Sequence, residues 1–147
     1  MGAEPYFYFV KYDPDINAAL QELREREFKA GRYNPVIRFL QFPIGADSPS
    51  PGAQHKSIRH ALKAADADGT RSILDLDHMS EEPEFNAVSP LPPEELARSF
   101  GTEQPTHEMI EGSDELFEDI ERGQGVYVIV YKDGQPDEIF FAGYSFD

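Results

Sequence analysis

The sequence predicts an α+β fold: a mixed sheet of about five strands with helices packed on it, closing in an antiparallel C-terminal hairpin. Three observations carry this. Residues 126–131 (VYVIVY) are an unbroken apolar run, and residues 137–146 return after the turn chemistry of Lys132-Asp133-Gly134-Gln135-Pro136. Residues 6–12 read as a strand at the opposite end of the chain. Between them, an amphipathic helix, a glycine and a strand recur around Gly31, Gly69 and Gly123/Gly125. The resulting order is β-α-β-α-β-α-α-β-β, with a fully interleaved α/β layer as the alternative. At 147 residues the chain fits a single domain.

The first strand places Tyr6, Tyr8, Val10 and Tyr12 on one face and Phe7, Phe9 and Lys11 on the other. Both faces begin apolar, which predicts a strand internal to the sheet. Asp13-Pro14 offers an N-cap followed by proline at the first helical position. The helix runs to about Ala30 with Ile16, Ala19, Leu20 and Leu23 as its apolar stripe, and Gly31 ends it. Glu22/Arg26 and Glu25/Lys29 are i,i+4 pairs on its wet face. A second strand is expected over 36–42, followed by a Pro-, Ser-, Gly- and Ala-rich loop over 43–54. Next comes a helix over 57–65 that buries Ile58, Ala61, Leu62 and Ala65, and Asp68-Gly69 turns the chain into a third strand over 71–77.

An acidic, proline-bearing connector over 79–93 leads to a helix over 93–100, closed by Gly101. A short turn at 105–110 and a helix over 114–122, with Leu116, Phe117 and Ile120 apolar, precede the hairpin. Gly143 inside its last strand predicts a bulge or a close backbone approach. The expected core joins Tyr8, Val10, Val128, Val130, Ile139 and Phe141, with Leu20, Leu23, Leu62 and Leu116 packed against them.

Charge is unevenly spread. Residues 1–73 carry 10 Lys/Arg against 9 Asp/Glu, whereas residues 74–147 carry 3 against 19, within a net charge of −15. Such a field repels nucleic acid and anionic membrane and attracts basic surfaces, so neither nucleic acid nor membrane is an expected partner. At 12% aromatic the chain is too apolar for a disordered acidic tail, so the charge decorates a folded body. The absence of cysteine excludes disulfides, thiolate nucleophiles, iron–sulfur clusters and Cys-ligated zinc. The first residues lack a basic region and an apolar signal core, which makes the cytoplasm the expected compartment.

No cofactor motif is present. No serine stands in G-x-S-x-G, and Gly123-Gln124-Gly125 precedes a strand, not the helix a phosphate loop requires. Asp66-Ala67-Asp68-Gly69 followed by Asp75 resembles part of a calcium loop. It has Ala64 where the first ligand belongs and Arg71 at an apolar position, so a helix end and an Asp-Gly turn are expected instead. His55, His60, His78 and His107 show no metal-face spacing. His107 beside Glu108 is expected to have a raised pKa. On a strand over 71–77, Asp75 and Asp77 would share a face about 7 Å apart, with His78 next to them. They are the candidate metal- or ligand-binding carboxylates, an enzyme-like alternative. The stronger signal is the acidic cluster on the last two predicted helices, with Glu111, Glu115, Glu118 and Asp119 as contacts for a basic protein. That makes a small binding or regulatory module, inhibitor- or immunity-like, the expected function, and an enzyme the less expected one.

Overall fold

A computed structural model describes residues 3–38, 41–45, 47–113 and 115–147. In chain order the elements are β1 (Pro5–Lys11), α1 (Ile16–Ala30), α2 (Ile58–Ala64), a 3-10 turn (Ile73–Asp75), β2 (His78–Met79), β3 (Ala87–Pro90), α3 (Pro93–Phe100), α4 (His107–Glu111), α5 (Glu115–Glu118), β4 (Gly125–Lys132) and β5 (Gln135–Tyr144). The five strands form one mixed sheet in the order β1-β5-β4-β3-β2. The α+β class and the antiparallel C-terminal hairpin are as the sequence predicts. β5 pairs antiparallel with both β1 and β4, while β4–β3 and β3–β2 are parallel.

Side-chain alternation divides the core between the two faces of the sheet. On one face Tyr6, Tyr8, Ile139 and Phe141 pack with Leu20 and Leu23 of α1. On the other, Phe140, Val128 and Val130 pack with Leu91, Ile110, Leu116 and Ile120 from the α3–α5 segment. A third cluster joins Phe28, Tyr33, Ala61 and Leu74 and seats α2 on the C-terminal end of α1. All the expected core residues are buried except Val10 and Leu62, which are partly so. They divide between the two faces, so Leu116 never meets Leu20 or Leu23.

Several expectations need correction. β1 lies at an edge of the ladder, not inside it. Its two apolar faces reflect layers above and below: Phe7 sits 6.0 Å from Phe117 and Phe9 3.9 Å from His107, ring centre to ring centre. The helix cap is Asp15, which accepts from the Ala18 N–H at 3.0 Å, while Asp13 accepts from the Asp15 N–H in a local turn. Gly31 does close α1, at φ +75°, where any side chain would collide with the Gly52 backbone. The described residues of 36–42 are turns and bends, with the Ile37 N–H donating to the Tyr33 carbonyl. Phe39 and Leu40, also in that predicted strand, lie outside the described residues.

Residues 71–77 are not a strand either. Arg71 has φ +54°, and Ser72 Oγ accepts from the Leu74 N–H, so local polar side chains capture the backbone and curl it into the 3-10 turn. The missing strand pairs come instead from the acidic connector, which supplies β2 and β3. The predicted helix over 114–122 shortens to α5, and the turn at 105–110 is the short helix α4. Gly143 is the close approach: a side chain there would strike the Tyr6 ring, and the hairpin's irregularity falls at Val130/Tyr131.

Candidate functional site

The acidic cluster forms the α3–α5 layer. Residues 91–122 hold ten Asp/Glu against two Lys/Arg. Glu94 and Glu95 sit in the first turn of α3, where the helix dipole favours them. Glu111, Glu118 and Asp119 are exposed, whereas Asp114 and the side chain of Glu115 lie outside the described residues. Two contacts tie the layer together. Arg98 of α3 donates to Asp119, just past α5, at 2.8 Å. His107 bridges Glu111 through Nε2 at 2.8 Å and Glu138 of β5 through Nδ1 at 2.7 Å. The hydrogen bond to Glu138, reinforced by the surrounding carboxylates, raises the His107 pKa. On the same side of the sheet, Phe7 and Met109 each leave 45% of their surface in water. Apolar groups amid a charged rim are the usual anatomy of a protein interface.

Asp75, Asp77 and His78 are placed differently from the strand expectation. Asp75 lies in the 3-10 turn and is only 6% exposed. Its Oδ1 accepts from the Thr70 N–H at 2.9 Å and from Thr70 Oγ1 at 2.8 Å. Its Oδ2 is closed off from solvent, and the Arg71 backbone N–H is a further donor to the carboxylate. Burial pushes the Asp75 pKa up, and the Thr70 donors pull it partly back. Asp77 is exposed and bonds Nδ1 of His78, whose Nε2 faces Glu84 at 3.4 Å. These contacts raise the His78 pKa, that to Asp77 foremost. Asp75 and Asp77 nonetheless line one small cavity, together with Asp66 and Asn86. Among the described residues no group of three or more His, Asp and Glu could hold a metal ion. The Asp-Gly turn at Gly69 stands as expected, with its N–H returning to the Ala65 carbonyl.

Sequence reasoning missed a buried ion pair. Glu27 is 1% exposed and takes a two-pronged bond from Arg32, Nε at 2.8 Å and NH2 at 2.6 Å. Arg26 Nε adds a third donor at 3.3 Å. The pair borders a cavity of about 510 Å3 that Tyr8, Phe9 and Ile44 also line. Arg32 also donates from NH1 to Ser50 Oγ at 2.6 Å, so the pair acts as a structural clamp on the loop. The signal was present: Glu27 continues the spacing of Leu20 and Leu23 on the inner stripe, where a charge must be paired. Arg24 shares that stripe and donates to the Leu74 carbonyl at 3.0 Å. Compared with known protein families, with curated proteins and with solved structures, the chain shows no match.

Proposed function

We propose that the protein is a binding module whose α3–α5 layer docks a basic protein surface, in the manner of an inhibitor or immunity protein. One observation carries the reading: the acidic segment 91–122 packs as the α3–α5 layer on one face of the sheet, beside the exposed Phe7 and Met109. Carboxylates of this kind steer a basic partner and set its orientation, while the apolar groups supply the contact area. Glu111, Glu118 and Asp119, with Glu115 on α5, are the proposed contacts.

The test is a partner captured from host extract at low salt, purified, and followed in stopped-flow association. Reversing Glu115 and Glu118 to lysine should slow association and flatten its salt dependence. Folding should stay intact, because Glu118 is exposed and a surface helix charge contributes only about 0.3–0.5 kcal/mol per pair. Association at the wild-type rate and with the wild-type salt slope would reduce the charge to a solubilising coat.

A further inference from the structure

We propose that an extended peptide of a partner protein joins the sheet as a sixth strand, pairing with the open edge of β1 and setting alternate side chains into the groove between β1 and α1. β1 is an edge strand whose ladder partner is β5. The Tyr12 N–H donates to the Asp137 carbonyl at 3.1 Å, and the Ser145 N–H donates to the Glu4 carbonyl at 3.0 Å, both continuing the β1–β5 register. Antiparallel bonding alternates along a strand, so Tyr6, Tyr8 and Val10 turn their backbone groups to β5, and Phe7, Phe9 and Lys11 turn theirs outward. Pro5, which has no N–H, falls in the outward set, where a strand tolerates proline. Among the described residues no other backbone group bonds the outward N–H and C=O groups of Phe7, Phe9 and Lys11. Proteins blunt such edges with proline or lysine, yet here the stretch between Pro5 and Lys11 is wholly aromatic and apolar.

Two cavities border this edge. One of about 320 Å3 lies between residues 10–13 and Ala19, Glu22, Leu23 and Arg26 of α1. The other, of about 510 Å3, runs from residues 7–9 to Arg26, Arg32 and Ile44. Arg26 walls both, and their centres stand roughly 12 Å apart along the strand, close to the spacing of residues i and i+4 on one face of a guest strand. Added strands take affinity from main-chain bonds and specificity from pockets for alternate side chains. A second copy of this chain does not fit the groove. Paired through its own β1 it would present Tyr6 and Tyr8 on the α1 side, and both are buried in its core. Two chains of net charge −15 also repel each other, whereas the same field draws a peptide with basic flanks. The groove walls themselves carry both signs, Lys11 and Arg26 against Asp13, Glu22 and Glu111, with Glu27 paired to Arg32. The middle of the peptide is therefore uncharged. Of the α3–α5 carboxylates proposed to dock a basic protein only Glu111 borders the groove, so this inference does not rest on that reading.

The test is NMR titration of the full chain with the peptide acetyl-KFTVTFK-amide, whose pattern is the same in either chain direction. Its phenylalanines and valine face α1 opposite Tyr8 and Val10, and its threonine N–H groups face β1. In the free protein the Phe7, Phe9 and Lys11 amides should exchange with solvent quickly, and those of Tyr8 and Val10 slowly. Saturating peptide should protect the first set and leave the second unchanged. Methylating both threonine nitrogens should weaken binding at least about tenfold, and methylating the valine nitrogen should change it by less than about twofold. The isomer acetyl-KTFFVTK-amide, of equal charge and composition but without the alternation, should bind more weakly. Outward amides already protected in the free protein, no saturable shifts along β1, or equal effects of the two methylations overturn the proposal. A dimer seen by sedimentation equilibrium that protects the same amides assigns the edge to a second copy and overturns it as well.

Discussion

Replacing Arg32 by methionine removes the cation that Glu27 was buried against. Both Glu27 oxygens are engaged by Arg32, at 2.8 and 2.6 Å, and the carboxylate is 1% exposed. After the change only Arg26 remains, at 3.3 Å from a side chain that is 52% exposed. Breaking a buried pair from one side costs about 3–5 kcal/mol, because the surviving charge stays out of water. Arg26 and the adjoining cavity soften this, which places the expected loss near 3 kcal/mol, a large share of the ~5–15 kcal/mol that holds a typical domain. At roughly 2–4 °C per kcal/mol, the Tm should fall by about 10 °C. Urea unfolding followed by far-UV circular dichroism measures the loss. The double variant Glu27→Leu/Arg32→Met should recover to within about 1 kcal/mol of wild type, since it removes both charges. If Arg32→Met alone stays within about 1 kcal/mol of wild type, the pair behaves as a surface pair and the reasoning fails.

Other outcomes follow from the same packing. Phe141, fully buried opposite Tyr8 and Tyr127, should cost about 3–5 kcal/mol when cut to alanine, and an unchanged Tm would remove β5 from the core. Deleting residues 138–147 removes the strand that holds β1 to β4 and should give insoluble or unfolded protein; a soluble, cooperatively unfolding truncation would contradict this. His107 has a folded-state pKa above its unfolded value of about 6.5. Its contribution should be complete below about pH 6.5 and fade as pH rises through the folded value. The Tm difference between wild type and His107→Ala should therefore shrink from pH 5 to pH 9, and a constant difference would show that its ion pairs contribute nothing.

The hairpin and the first helix were legible because their signals are local. A run such as VYVIVY, the turn at Asp133-Gly134 and the stop at Gly31 need no distant partner to be read. The predicted strands at 36–42 and 71–77 failed for a shared reason: Ile37 in the first and Ile73, Leu74 and Leu76 in the second are buried, but by turns. Thr70 through Leu76 are buried without alternation, and Thr70, Ser72 and Asp75 tie the backbone locally. β3, only Ala87–Pro90, owes its existence to parallel pairing with β4, which no short pattern announces. The edge position of β1 was hidden because apolar patterning reports which faces are covered, not which ladder sides are paired. Of the candidate sites, the acidic layer was visible as charge. The Asp75–Asp77 cavity was visible only as two carboxylates, since its walls come from residues as far apart as Leu62, Asn86 and Phe146.

Sheet order turns an uneven sequence into an uneven surface. The parallel neighbours β3 and β4 need a crossover, and α3–α5 supply it on one face. β1 pairs with β5, so the chain's first and last strands lie side by side while α1 covers the opposite face. The near-neutral and acidic segments are thus held apart by the thickness of the sheet and its side chains. Helices packed on opposite faces stand further apart than the screening length of about 8 Å at physiological salt. The exception is the β1 edge, where Arg26 and Arg32 of the α1 side line one cavity with Phe7 and Glu111. A basic partner docking on that face would meet the charge of the layer, reduced at that edge and by Arg98 at Asp119. Below the folded-state pKa of His107, its own positive charge adds to that reduction at Glu111 and Glu138, so attraction should strengthen as pH rises through that value.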